Sequence, residues 1–489
     1  MMDELVPLEE VDARLLGTPR SRRAHNLQAN GNAGGEETRE SRPPEFSDEA
    51  LALRFAERHQ HELRYVALWN KWLTFDGARW CFDETVFAFD LARQICREAA
   101  ARCNEREAVR RSIASAKTVG AVVQLARADR RLAATVEQWD TDLWLLNTPA
   151  GNIDLRSGGM RSHRPADYMT KMTAVAPGGD CPQWLAFLDR VTGSDQELQA
   201  FLQRFTGYAL TGSTREHALA FCYGHGANGK SVFMNTVSAV FGDYHQTAAI
   251  QTFTATRHDQ HPTVLAALRG ARLVTATETE DRQRWADSRI KQLTGGDKVR
   301  AYFMRQDEFE FTPQLKLIIS GNHRPSLRAI DESIRRRFNL IPFNVTIPPE
   351  ERDLQLADRL RDEWPGILAW MIEGRLEWQR LGLAAPPAVI DATAAYLEAE
   401  DALAAWMEDQ CERDANAWTR STDLFAATRH VPNDLVREPA TSKSFERSWK
   451  STTSNTSANR ARGGLAIWGC ACVSGNHHRS LIGAGCEGM

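Results

Sequence analysis

The 489-residue chain has no apolar run approaching the length of a bilayer span, and its start, Met1-Met2-Asp3-Glu4-Leu5, has no basic stretch followed by an apolar one. Neither a membrane span nor a secretory signal is expected, so the reading is a cytosolic protein without a membrane partner. Nor does one sign of charge dominate: 60 basic and 64 acidic side chains leave a net charge of −4, so any surface for a polyanion must be local. Nine cysteines are scattered, some within apolar segments (Cys96, Cys222), which excludes a disulfide ladder and suits a reducing compartment. No internal repeat is present. The charge balance breaks between Arg282 and Arg305, where seven basic residues (Arg282, Arg284, Arg289, Lys291, Lys298, Arg300, Arg305) face two acidic ones (Asp287, Asp297). For any single member of that group a solvated helix face is the simpler reading.

What is present begins with Gly224-His225-Gly226-Ala227-Asn228-Gly229-Lys230-Ser231, which fits G-x-x-x-x-G-K-[ST] without deviation. Small residues let successive N–H groups curl around a phosphate, Lys230 supplies charge to the outer phosphates, and the Ser231 hydroxyl suits Mg²⁺. The apolar run Leu219–Tyr223 predicts a buried strand before the loop. Val232, Phe233, Val237, Val240 and Phe241 predict a helix after it, whose positive end faces the anion. Gly224, Gly226 and Gly229 also satisfy the dinucleotide fingerprint G-x-G-x-x-G. That reading needs an acidic residue at a second strand end, whereas Asp243 falls in what looks like a helix end and turn, and it leaves Lys230-Ser231 without a role.

Hydrolysis needs more than a phosphate loop. Leu273–Thr277 predicts a strand delivering Glu278 and Glu280, carboxylates that can orient Mg²⁺ and polarise water. Leu315–Ser320 predicts another, ending in Gly321-Asn322-His323, where the Asn322 amide can hold water or the γ-phosphate. A turn-forming Asn ahead of Pro325 is the plainer alternative. Arg335-Arg336-Arg337 can supply charge to a phosphate or form an ordinary solvated run.

Residues 1–45 are polar and glycine-rich and predict a disordered leader. A separate domain with helical periodicity and an aromatic cluster (Trp69, Trp72, Phe75, Trp80) is expected over 46–182. The nucleotide-binding core follows over 183–345 and a helical extension over 346–410, where Trp364, Trp370, Trp378 and Trp406 read as core. Residues 411–489 form the end region, whose Gly-, Ser- and Cys-rich stretch from Gly463 to Met489 predicts a divergent or disordered end.

In GYALTGSTREHALAFCYGHGANGKS, RLVTATETE, IKQLTGGDKVRAYFMRQDEFEF, KLIISGNHRP and DESIRRRFNLIPF the chain resembles the superfamily 3 helicase core of the phage and plasmid primase-helicase family. WNKWLTFDGARW and LLNTPAGNIDLRSG resemble the helical domain that precedes this core, and the resemblance covers roughly two thirds of the chain. It implies an α/β P-loop NTPase of AAA+-like fold with an N-terminal mainly helical domain and a C-terminal helical region that can hold a winged helix. It further implies an ATP- and Mg²⁺-dependent DNA helicase of phage, prophage or plasmid replication, working in a bacterial host cell. The implied assembly is a homo-hexameric ring on single-stranded and forked DNA, with a primase and initiation proteins as further partners. ATP would lie between subunits, with Lys230, Ser231, Glu278, Glu280 and Asn322 facing Arg336 or Arg337 of the neighbour. A DNA-gripping hairpin is implied with arms Val299–Phe303 and Glu308–Phe311 and tip Met304–Asp307. There Arg305 would meet phosphate, helped by Lys298 and Arg300.

No primase catalytic segment is expected. Asp140-x-Asp142 offers two carboxylates for nucleotidyl transfer but sits among Trp139, Leu143 and Trp144. The winged helix would use Thr422–Trp449. Cys470, Cys472, His477, His478 and Cys486 have zinc-ligand types at a spacing that fits no common site. The readings that compete with the helicase are a ring ATPase remodelling protein or RNA, and an ATP-binding DNA assembly platform that does not unwind.

Overall fold

The computed structural model describes residues 43–224, 226–255, 263–277, 284–302, 308–322, 324–327, 331–412, 418–420, 458–461, 464–468 and 471–472. The first module comprises α1 (Asp48–His59), β1 (Leu63–Val66), β2 (Lys71–Phe75), β3 (Trp80–Phe82), α2 (Phe87–Arg102), α3 (Glu107–Ile113), α4 (Ala116–Ala126) and β4 (Ala133–Ala134). Ser47 and Ser115 open α1 and α4 by accepting from the Ala50 and Thr118 amides. Leu51, Phe55, Ile95, Val119 and Val122, the apolar stripes of α1, α2 and α4, close one core. The strands pair in the order β3-β2-β1-β4. This module, expected to be mainly helical, therefore also carries a sheet, whose strands of two to five residues are too short to show a clear alternation. Its aromatic cluster is real: Trp80 and Tyr168 both pack edge-on against Trp139, at 5.7 and 5.0 Å between ring centroids.

A three-stranded antiparallel meander follows, β5 (Leu145–Thr148), β6 (Gly151–Asp154) and β7 (Met160–Arg161), turning at Pro149-Ala150. Leu145, Leu146, Ile153 and Leu155 do not join the first core. They pack with the elements downstream.

Those elements are α5 (Pro182–Thr192), α6 (Gln196–Leu210), β8 (Leu219–Tyr223), α7 (Lys230–Phe241), β9 (His245–Thr247), α8 (Thr263–Ala266), β10 (Leu273–Thr277), α9 (Asp287–Gly295), β11 (Val299–Ala301), β12 (Phe309–Phe311), β13 (Lys316–Gly321), α10 (Glu332–Arg335) and β14 (Phe338–Pro342). Five strands form a wholly parallel sheet in the order β14-β8-β13-β10-β9. Both faces are covered, as a parallel sheet requires. Ala220, Cys222 and Ile318 point to a core shared with α5, α6 and α7, while Leu219, Phe221, Leu317 and Ile319 point to one shared with α9 and β11. The mixed α/β architecture expected of the chain is thus present. Because the sheet is wholly parallel, the C-terminal ends of β8, β10 and β13, which lead toward candidate residues, emerge on one side.

Arg272 joins the meander to this sheet. It is 1% exposed, and its guanidinium donates to the carbonyls of Leu210 (2.7 Å), Leu145 (2.9 Å) and Asp142 (3.2 Å) while lying over the Tyr244 ring. Arg272→Leu takes this donor from the two buried carbonyls of Leu210 and Leu145, and a loss of about 2–3 kcal/mol in unfolding free energy is expected, read as a lower denaturant midpoint.

Beyond the sheet, α11 (Leu356–Asp362), α12 (Trp364–Leu381) and α13 (Pro387–Gln410) form the helical extension. Trp370 and Trp378 are buried core residues, as expected. The end region shows β15 (Cys411–Glu412), β16 (Trp418–Arg420), β17 (Ala458–Ala461), β18 (Gly464–Trp468) and β19 (Ala471–Cys472), with β16-β18-β17 and β15-β19 as antiparallel sheets. The helices expected over Thr422–Trp449 lie outside the described residues, as do Cys470, His477, His478, Cys486 and nearly all of the leader.

Candidate active site

The 224–231 loop runs from the end of β8 into α7. Gly224 has φ +153°, and a Cβ there would stand 2.2 Å from the Phe343 carbonyl oxygen and 2.4 Å from Asn228 Nδ2. Only glycine lets the chain pass that close. Ala227, at φ +48°, adopts the left-handed region without being glycine, and its carbonyl accepts from the Ile347 amide at 2.8 Å. The Asn228 side chain is buried and donates to the Phe343 carbonyl at 2.9 Å. The loop is therefore held open by the chain leaving β14. That scaffold is main chain, so no residue pattern announces it in the sequence.

Lys230 is the first residue of α7 and is 6% exposed. Its ammonium donates to the Gly224 carbonyl at 2.6 Å, to Asn228 Oδ1 at 3.2 Å and to Asn322 Oδ1 at 3.4 Å. Burial pushes its pKa below the ordinary lysine value. Among the described residues its partners are all neutral oxygens. A desolvated cation so placed fits an anion, which is the test an incoming phosphate must pass. Ser231 follows, exposed in the first turn of α7, and Gly226 and Gly229 take positive φ on either side of Asn228.

Asn322 is brought to Lys230 by register: Ser320 pairs with Cys222 and Gly321 with Tyr223, so β13 ends level with the loop's first glycine. β10 lies on the other side of β13, with Thr277 opposite Ser320. Glu278 and Glu280 come directly after it and lie outside the described residues, as do His225 and Arg305.

The two finger candidates separate. Arg337 is 5% exposed, its Nε donates to Thr294 Oγ1 at 3.1 Å, and its Nη1 donates to the Ser333 carbonyl. Burial, then the neighbouring Arg336 charge, lowers its pKa. It is committed inside this chain, held by Thr294 on α9 and by the Ser333 carbonyl. Arg336 is exposed.

The expected hairpin arms form. β11 and β12 pair antiparallel with Val299 opposite Phe311 and Ala301 opposite Phe309. Lys298 is exposed at its base, while Arg300 is paired with Glu310 at 2.9 Å, which offsets its charge. In the adjoining basic stretch Lys291 is likewise neutralised by Asp331 and Arg289 donates to the Thr252 carbonyl.

Two competing site readings lose their geometry. Asp243 lies in the turn after α7, where its carboxylate takes the Arg79 guanidinium and the Met172 amide. Asp140 accepts from the Thr170 amide and hydroxyl, and Asp142 caps the Trp144 amide at 2.9 Å. Among the described residues no group of three or more His, Cys, Asp or Glu is placed to hold a metal, and no helix is long and apolar enough to cross a membrane.

A parallel sheet with a glycine loop, a buried lysine and a polar strand-end amide converging at one edge defines a mixed α/β protein with an anion-ready site. Residues 52–193 match the family described as D5 N terminal like, and residues 222–337 match a family of unknown function. The chain is 24% identical over 335 residues to “Putative helicase 022R” of Frog virus 3 (isolate Goorha), which covers 63% of this chain and 33% of that protein. Similarity to the like-named L207/L206 of Acanthamoeba polyphaga mimivirus is 22% over 302 residues, or 57% of this chain and 31% of that protein. The chain thus spans about a third of the length of these relatives. Among solved structures, the A form apo structure of the NrS-1 C-terminal region matches with a TM-score of 0.44 at 12% identity, covering 86% of this chain and 99% of that one. These likenesses support a superfamily 3 primase-helicase family for the chain.

Proposed function

We propose that the chain is the motor of a ring-forming DNA helicase, a P-loop NTPase of AAA+-like fold that hydrolyses ATP between subunits during replication of a phage, prophage or plasmid. The observation that carries this reading is the Lys230 ammonium, buried among Gly224, Asn228 and Asn322 at the end of a parallel sheet. The helicase designation of the viral relatives supports it.

In this reading the 224–229 loop cradles the phosphates, Lys230 contacts the outer ones, and Asn322 holds the γ-phosphate or the attacking water. Ser231, Glu278 and Glu280 would hold Mg²⁺, which when bound neutralises charge on the phosphate oxygens. One of the two glutamates takes the proton of the attacking water. Arg336 of the adjacent subunit adds charge across the boundary. The β11–β12 hairpin carries the motion to single-stranded DNA through Arg305 and Lys298, with Arg300 shared between DNA and Glu310.

The test is hydrolysis of ATP with and without single-stranded DNA, together with unwinding of a forked duplex. Strong stimulation and strand separation are expected. Hydrolysis indifferent to DNA would favour a remodeller of protein or RNA, and nucleotide binding without hydrolysis an assembly platform. A separate expectation concerns the finger: Arg336→Ala lowers turnover about 10³-fold while nucleotide affinity is kept. Mixing it with Lys230→Ala restores part of the rate, since mixed boundaries pair an intact loop with an intact arginine. No recovery on mixing would sink the arrangement in trans.

A further inference from the structure

Tyr396 on α13 is 3% exposed and far in sequence from the loop residues, yet its hydroxyl makes two bonds that join the site's supports. It accepts from Trp285 Nε1 at 3.1 Å and donates to the Pro325 carbonyl. Pro325 belongs to the segment that follows Asn322. Trp285 lies two residues ahead of α9. The same two segments also touch directly, through the Trp285 amide on the Ser326 carbonyl at 3.0 Å and a parallel bridge between Arg284 and Ser326. Around the hydroxyl, Arg324 lies over the rings of Tyr223 (5.1 Å) and Tyr396 (5.7 Å), and Tyr223 immediately precedes Gly224. Glu400, one turn along α13, accepts from the Leu327 amide at 3.1 Å. One helix therefore grips the chain just before the 224–231 loop and just after Asn322.

We propose that Tyr396 is a positioning residue for hydrolysis, its hydroxyl fixing the segment that follows Asn322 against Trp285, two residues ahead of α9. This rests on the ATPase reading above. A tyrosine hydroxyl has one proton to give, and here it is given to one segment while a lone pair receives from the other, so the two cannot drift apart without breaking a bond in a water-poor site. Burial also holds the phenol well above its ordinary pKa, so the proton stays available at any working pH. The ring itself, packed near Phe338, supplies the apolar contact and needs no hydroxyl for that.

Tyr396→Phe in the full chain separates these roles. A fall in kcat of about tenfold is expected, because a reacting group misplaced by a fraction of an ångström loses rate steeply. Affinity for a non-hydrolysable ATP analogue should stay within about twofold, since the phosphate loop keeps its own supports. Trp285→Phe removes the other end of the link, and the double variant should be no slower than Tyr396→Phe alone, because both break the same connection. A lower melting temperature with unchanged kcat per analogue-binding site would make Tyr396 merely structural and overturn the proposal. So would additive losses in the double variant. If the unaltered chain turns over no ATP, the ATPase reading fails and this falls with it; if it does and Tyr396→Phe matches it, only this inference fails.

Discussion

Lys230→Ala is expected to abolish ATP turnover, by on the order of 10³-fold or more, while the melting temperature of the nucleotide-free chain moves by no more than a few degrees. The two halves of this expectation have one cause. At neutral pH the folded chain holds a charged amine away from water, and its bonds to Gly224, Asn228 and Asn322 offset that cost only in part. Removing the side chain removes the cost together with the bonds, so stability changes little. The sign of the pKa shift gives a second readout. Because burial lowers the folded pKa below 10.5, the unfolded chain binds the proton more tightly. Stability of the unaltered protein should therefore rise with pH between the folded value and that of an ordinary lysine, and the alanine variant should lack this rise. The third readout is nucleotide itself. A ligand at a hundred times its dissociation constant stabilises the unaltered chain by about 2.7 kcal/mol. The variant should lose most of that, and equal stabilisation by ATP in both proteins would remove Lys230 from the phosphate site.

Legibility in the sequence followed the range of the interactions. The turn at 224–231 and the helix after it could be read because their demands are local: glycine where φ is positive, and lysine at a helix start. The hairpin arms were equally legible, since Val299–Ala301 and Phe309–Phe311 are short β-prone runs a few residues apart. Asn322 was visible as a polar residue closing an apolar strand. Its approach to Lys230 depends on β13 lying beside β8, which nothing local specifies. The three arginines looked alike in sequence. Which one turns inward is set by Thr294 waiting on α9. Tyr396 gave no signal at all, because its two partners are distant along the chain and one of them is a backbone carbonyl. The sheet of the first module escaped for a different reason, its strands being too short for a period of two to be counted.

Gly374→Val is expected to cause the largest loss of stability of any single change in the helical layer. Helices α6 and α12 cross backbone to backbone. A Cβ on Gly374 would stand 2.2 Å from the Gln203 carbonyl oxygen, and one on Gly207 would stand 2.2 Å from the Arg375 amide nitrogen. Neither obstacle is a side chain that can rotate away, so the helices must part. Parting them opens the core in which Phe201, Phe205, Met371 and Trp378 are all buried. Overpacking of this kind costs about 3 kcal/mol or more, and a branched residue in place of glycine adds no compensating contact here. The damage should reach the site as well, because α6 leads into β8, which carries the 224–231 loop. Lower nucleotide affinity should therefore accompany the lower melting temperature. Gly120→Ala, in the middle of α4 with open space where the Cβ would go, is the matched control. It should stabilise the chain by up to about 1 kcal/mol, as removal of a mid-helix glycine does. If Gly374→Val melts within a few degrees of the unaltered protein, the two helices do not touch along their backbones as described, and the layer that supports β8 must be packed some other way.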